Sequence, residues 1–142
     1  MDIPSQHAAQ LLSALAAVNE RLVALANTLR SRPAVAQVLR DVDFRSYGAG
    51  PPLVEAYVES TCANGDAICY WLELSWADGH WLVGARITIN RPHEDYQDTL
   101  SDFPDRCAST MEGVIAALDE AVTDLVRAAD HIHPLHLGVA DG

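Results

Sequence analysis

The chain has 142 residues, 49% of them hydrophobic, so it is long enough to bury a core without metal or disulfide staples. Twenty acidic residues against nine arginines, with no lysine, give a formal net charge of −11. Such a surface repels phosphate backbones and anionic lipid, which excludes nucleic acid and membranes as expected partners and favours a basic protein. An odd number of cysteines, and no leader or long apolar run, predict a cytoplasmic protein.

The first predicted element is a long helix over residues 5–30. Its apolar residues recur at alternating steps of three and four, which is the heptad seam of an amphipathic helix. They are Ala8, Leu11, Leu15, Val18, Leu22, Leu25 and Leu29. Such a seam serves either a coiled-coil dimer or packing within one domain. A second seam of this kind later in the chain favours packing within the domain.

A short second helix is predicted over residues 33–42. Pro33 stands two residues after a possible cap at Ser31, as at the start of many helices. The spacing of Val35, Val38 and Leu39 is compatible with one helical face. A loop rich in glycine and proline follows.

Three antiparallel strands are predicted next, over residues 53–61, 68–76 and 81–90, because apolar residues alternate in each run. Register follows from this alternation, since a slip by one residue would turn a strand's whole apolar set towards water. In the second hairpin, Trp76 pairs with Trp81. In the first, a three-residue loop at positions 64–66 pairs Val58 with Leu72 and Ala56 with Leu74.

The same register predicts a mixed opposite face that contains aromatic, acidic and basic side chains. Its members are Tyr57, Glu59, Trp71, Glu73, Leu82 and Arg86. Glu59, Trp71 and Arg86 are expected in one row, with Tyr57 and Glu73 in the next. One interpretation is a solvated face on which Arg86 shields Trp71, or one covered by a flanking segment. The other is a partner-binding surface, because aromatic and arginine residues dominate binding hot spots and acids select a basic partner.

The last third of the chain is predicted to be a polar connection over residues 92–106, a helix over 109–129 and a mobile tail over 131–142. The acids of the connection do not have EF-hand spacing, so a solvated loop is favoured over a calcium site. Ser109 and Glu112 form a capping box. The helical seam consists of Met111, Ile115, Leu118, Val122, Leu125 and Ala129. No metal site is assigned to the tail residues His131, His133 and His136, because no acidic or thiol partner has zinc spacing.

These elements predict a single α+β domain, residues 1–142, with both long helices on one face of a three-stranded antiparallel meander. No nucleophile elbow, Cys/His dyad, phosphate loop or HExxH motif is present, so neither catalysis nor a cofactor is predicted.

In size, acidity and helix-plus-meander architecture the chain resembles the small acidic immunity proteins of bacterial toxin systems, which neutralise a cognate toxin by direct binding. The resemblance is architectural, spans the whole chain and carries over no contact residue. It implies a basic protein partner, a toxin or an effector. One alternative is an acidic, homodimeric secretion chaperone for an effector. Another is a small ligand-binding or enzyme domain that uses Tyr70, Trp76, Trp81 or His80. Both monomer and homodimer remain open.

Overall fold

The computed structural model of the protein describes residues 5–44, 54–91 and 96–132. Within these residues, helices α1 (Ser5–Arg30) and α2 (Met111–His131) come before and after a five-stranded antiparallel sheet. The strands are β1 (Val35–Phe44), β2 (Val54–Cys62), β3 (Ala67–Ala77), β4 (His80–Arg91) and β5 (Tyr96–Ala108). They lie side by side in chain order. The α+β class is confirmed, but the sheet has five strands where three were predicted.

The predicted short helix over residues 33–42 is wrong, because this segment forms the edge strand β1. The pairing of β1 with β2 runs from Val35 opposite Cys62 to Phe44 opposite Val54, with a bulge just after Val35. A bulge adds one residue to a strand, so apolar residues three apart can face the same side of the sheet. The three-residue step from Val35 to Val38 therefore imitates a helical pattern.

The predicted polar connection over residues 92–106 is also wrong, because most of it belongs to β5, the second edge strand. Its pairing with β4 shifts between Val83 and Ala85 and again between Ile87 and Thr88. These two irregularities interrupt the alternation by which a strand is recognised in sequence. Acidic residues and Pro104 suit an exposed edge, where they discourage pairing with another chain.

The second hairpin has the predicted register, with Trp76 opposite Trp81. Asp78 and Gly79 both have positive φ, 53° and 81°, as in the type I′ turn that fits the twist of a hairpin. The first hairpin pairs Val58 with Tyr70, so the predicted partner Leu72 is wrong by two residues.

The first hairpin loop does contain three residues, but at positions 63–65, one residue earlier than predicted. The Cys62 amide donates to the Asp66 carbonyl at 2.7 Å and closes the loop. Gly65 takes the positive φ, 94°, at its third position. Because the register shifts by two residues, every side chain keeps its predicted face.

The core lies between the helices and one face of the sheet, as predicted for a two-layer arrangement. Leu22, Leu29, Leu118 and Leu125 are at most 1% exposed. Thr110 is the N-cap of α2, and its hydroxyl accepts a 3.0 Å hydrogen bond from the Gly113 amide. The capping box predicted for Ser109 and Glu112 is therefore wrong: the N-cap is one residue later, and the N3 position holds Gly113.

Residues His7–Arg30 are long and apolar enough, by length and composition, to cross a membrane. A core helix of a folded domain meets the same criteria, and the leucines on one side of α1 belong to the core. Cytoplasmic localisation therefore stays a prediction. The tail histidines His133 and His136 lie outside the described residues, and His131 is the exposed last residue of α2.

Replacing Gly79 by alanine should lower the free energy of unfolding by about 1 kcal/mol, because a left-handed φ is unfavourable for a residue with a Cβ. No atom lies within 4 Å of the position that this Cβ would occupy, so the cost is purely conformational. Urea denaturation measures it. Asp78→Asn is the control and should leave stability unchanged, since asparagine tolerates positive φ. A Gly79→Ala variant as stable as the wild type would contradict this turn geometry.

Candidate functional site

The side of the sheet that faces away from the helices is here called the outer face. Alternation along β2 places Val54, Ala56 and Val58 in the core and the residues between them on the outer face. Cys69 is buried but does not belong to the core cluster, as expected for an outer-face residue covered by longer neighbours. None of the described helices packs against this face.

One cross-strand row runs over all five strands at the centre of the outer face. Its members are Asp41, Tyr57, Trp71, Arg86 and Asp102, one from each strand in order. We call it the central row. It ends in an acid on each side and has two aromatic rings and a guanidinium between them.

The predicted rows change because of the shifted first hairpin. Trp71 and Arg86 are neighbours as predicted, but Tyr57 replaces Glu59 beside Trp71. Glu59 lies in the next row, opposite Cys69. Glu73 lies on the other side of the central row, opposite Gly84.

Contacts with three neighbours fix the Trp71 ring in place. Its centroid lies 5.1 Å from that of Tyr57, with the planes tilted by 42°. The Arg86 guanidinium carbon lies 5.3 Å from the Trp71 ring centroid, which is the cation–π contact expected in the interpretation of a solvated face on which Arg86 shields Trp71. The indole N–H donates to the Thr88 hydroxyl at 3.2 Å. Tyr57 and Trp71 are each half-buried, so both rings retain surface that faces solvent.

Glu73 holds Arg86 in position through an ion pair of 3.4 Å between the arginine Nη2 and the glutamate Oε1. Both side chains are partly exposed, so the pair contributes little to stability. The pair places the Glu73 carboxylate beside the guanidinium that lies over the indole. Five of the six predicted site residues thus lie in or beside the central row. Leu82 is half-buried two rows away, opposite Ser75 and Cys107.

The outer face is strongly acidic in the part of the chain that the structure describes. Its carboxylates include Asp41, Glu55, Glu59, Glu73, Asp102 and Asp105. Arg86 is the one described arginine on this face. Arg40 bonds Asn19 on α1, Arg106 bonds Glu120 and Asp124 on α2, and Arg91 pairs with Asp66 at the end of β4. The other described arginines lie on the helices or in the turn after α1.

The pKa values of two outer-face groups reflect this environment. Burial raises the pKa of the Tyr57 hydroxyl most, and the charge of Asp41 raises it further. The charges of Glu59 and Glu55 raise this pKa as well, by smaller amounts. Burial, followed by the charge of Glu59, raises the pKa of the Cys69 thiol to about 12, although Arg86 opposes the shift. Both groups are therefore protonated at neutral pH, and Cys69 is not a thiolate nucleophile.

Two shallow depressions flank Arg86. The smaller, of about 60 Å³, lies over Gly84 and is lined by acids that include Asp102 and Asp105. A Cβ at Gly84 would lie 2.9 Å from the Asp105 carboxylate, so the glycine permits this close approach. The larger, of about 360 Å³, is lined by Thr88, Gln97 and Thr99 among others. Within residues 5–44, 54–91 and 96–132, no group of histidine, cysteine and acidic residues is placed to hold a metal ion.

The residues proposed for an alternative ligand pocket are largely part of the core. Tyr70 is 1% exposed, and Trp81 packs edge-to-face on Trp76 with ring centroids 5.0 Å apart. His80 is half-buried as the first residue of β4. These positions agree with the structural role that aromatic pairs usually have.

Asp41 and Asp102 were missed as members of the site, because the strands that carry them were predicted as a helix and a loop. Both acids complete the central row. With these two strands the protein is a two-layer α+β structure in which none of the described helices covers the outer face, and this face carries an aromatic pair surrounded by carboxylates. No protein-family model matches the chain, and searches of the curated proteins and of the solved structures give no significant match.

Proposed function

We propose that the protein is a non-enzymatic binding module that recognises a basic protein through the outer face, and that it acts as an immunity protein by neutralising a basic toxin. The observation that carries this proposal is the central row. It combines two partly exposed aromatic rings, held in place within the molecule, with a surrounding excess of carboxylates.

The charge of the outer face favours rapid encounter with a basic partner. A concentration of acids on one surface attracts a cationic protein over several ångströms and orients it before contact. The net charge of −11 extends this attraction over the whole molecule. We therefore expect the association rate to fall steeply as the salt concentration rises.

The aromatic pair supplies the short-range part of the binding energy. Tyr57 and Trp71 already contact each other, and Arg86 and Thr88 hold Trp71 in place. Little conformational entropy is therefore lost when a partner covers them. Large aromatic residues on a rigid support are typical anchors of protein interfaces.

Charge reversal on the outer face should remove binding without unfolding the protein. The informative variant is Asp41→Arg with Glu59→Arg, because Glu73 also holds Arg86 over Trp71 and its loss would have two effects. We expect wild-type protein immobilised in a lysate of its native cell to retain a basic protein. The variant should bind that purified protein at least about tenfold more weakly by calorimetry, a loss of about 1.4 kcal/mol.

The matched control is Glu20→Arg with Asp130→Arg, which makes the same change in net charge at exposed positions on α1 and α2. It should bind like the wild type. Equal affinities for the wild type and the outer-face variant would overturn the proposed surface.

A growth experiment tests the neutralising role, using the basic protein that the immobilised wild type retains from the lysate. Its expression alone should arrest growth, and coexpression of the wild-type chain should restore growth, whereas coexpression of the outer-face variant should not. A partner that is harmless when expressed alone would contradict the immunity role. If the partner is instead a secreted effector and light scattering shows that this protein is a homodimer, the secretion-chaperone function replaces the immunity function.

A further inference from the structure

The two aromatic rings of the central row differ in their described neighbours. On one side, the guanidinium of Arg86 lies over Trp71, with Glu73 as its ion-pair partner and Asp102 next in the row. On the other side, Tyr57 is followed directly by Asp41, and no described arginine lies on this side of the face. Among the described residues, the face thus carries one complete arginine-on-aromatic arrangement, at Trp71, and one aromatic ring, Tyr57, that has acids but no arginine beside it.

We infer that Tyr57 is the seat for an arginine of the partner, whose guanidinium lies on the phenol ring between Asp41 and Glu59. This inference rests on the proposed function and specifies the chemistry of the partner at one position. Charge complementarity supports it, and Arg86 on Trp71 shows that a guanidinium fits on an aromatic ring of this same surface.

The position of the acids suits a guanidinium bound at Tyr57. Asp41 is the cross-strand neighbour of Tyr57, and Glu59 lies two residues further along the same face of β2. After burial, the negative charges of Asp41 and, less strongly, Glu59 raise the pKa of the Tyr57 hydroxyl. Asp41 is exposed, and Glu59 is half-buried. Each can therefore accept hydrogen bonds from a cation that arrives from solvent.

Arginine is a better occupant than lysine for a geometric reason. A guanidinium is planar, stacks on an aromatic face and can donate several hydrogen bonds in its plane to carboxylates on either side. An ammonium group is compact, strongly hydrated and unable to stack. The Tyr57 ring should therefore add to the discrimination between two peptides of equal charge, and this added part should depend on the ring.

The test is an NMR titration of the full chain with hexa-arginine and, separately, with hexa-lysine. Trp71 provides a reporter, because it is the cross-strand neighbour of Tyr57 and its indole N–H has a specific acceptor in Thr88. We expect wild-type protein to bind hexa-arginine about twofold to fivefold more tightly than hexa-lysine, as one exposed cation–π contact allows. Tyr57→Leu should remove this preference, and Tyr57→Phe should keep it. The remaining backbone resonances show whether each variant is folded.

The possible results separate this inference from the proposed function. Equal affinity of both peptides for the wild type, or a preference for arginine that persists in Tyr57→Leu, overturns the seat at Tyr57. If the Asp41→Arg and Glu59→Arg variant then still loses binding of both peptides, the acidic outer face itself stands. Binding of both peptides that is unaffected by this charge reversal would overturn the surface and the seat together.

Discussion

Replacing Leu118 by alanine should lower the free energy of unfolding by about 3 kcal/mol, the largest effect that we expect from one substitution. Leu118 is 0% exposed and belongs to the core between α2 and the sheet. The substitution removes buried apolar surface and leaves a cavity, because side chains on both sides are held by their own helix or strand. Urea denaturation followed by circular dichroism measures the change.

The control for this prediction is Leu12→Ala on α1. Leu12 is 64% exposed, so the same chemical change should alter stability by less than about 0.5 kcal/mol. Similar losses for both variants would contradict the placement of the core. They would instead indicate that the exposed side of α1 is covered in solution.

Replacing Arg32 by methionine should lower the free energy of unfolding by about 2 kcal/mol, because two partly buried, charge-assisted hydrogen bonds are lost. Arg32 follows α1 and donates to the carbonyls of Ala129 at 2.8 Å and Ile132 at 3.1 Å. These contacts tie the start of the sheet to the end of α2. Methionine retains most of the apolar part of the side chain, so the loss reports mainly on the hydrogen bonds.

Hydrogen exchange can localise the effect of Arg32→Met. Amides in the last turn of α2 should exchange faster relative to those of β3 than they do in the wild type. Arg30→Met is the control, since Arg30 is exposed and bonds only Asn27 on its own helix among the described residues. Uniformly faster exchange throughout the chain, or equal losses in both variants, would contradict a specific role for Arg32.

Arg32 also influences the buried Tyr70. Burial raises the pKa of the Tyr70 hydroxyl to about 12, while the positive charge of Arg32 acts in the opposite direction. The hydroxyl is therefore neutral at physiological pH. A single side chain thus connects the turn after α1, the last turn of α2 and the centre of the sheet.

The proposed binding surface depends on details of register that alternation does not determine. Alternation assigned Tyr57, Glu59, Trp71, Glu73 and Arg86 to one face, because side chains on a strand point to opposite sides with a period of two. A shift by two residues in the first hairpin preserves that assignment while changing every neighbour between β2 and β3. The second hairpin has the predicted register, so the contact between Trp71 and Arg86 was predicted, whereas that between Tyr57 and Trp71 was not.

The position of the first hairpin loop decided this register. Gly65 can take the positive φ in more than one three-residue loop, and local sequence does not distinguish them. The observed loop is closed by the bond between the Cys62 amide and the Asp66 carbonyl, and Asn64 accepts from the Asp66 amide at 3.0 Å. The pairing of two complete strands is needed to select this arrangement.

Sequence by itself determined the two long helices and the three central strands, and which side of each helix and strand faces the core. It also determined the net negative charge of the protein. These properties follow from periodicity and composition, which are local. Only the tertiary structure revealed the edge strands β1 and β5, because bulges interrupt their alternation and their pairing with β2 and β4 supplies the stability that their own patterns lack. Those two strands contribute Asp41 and Asp102, and so the tertiary structure also decided where the central row begins and ends.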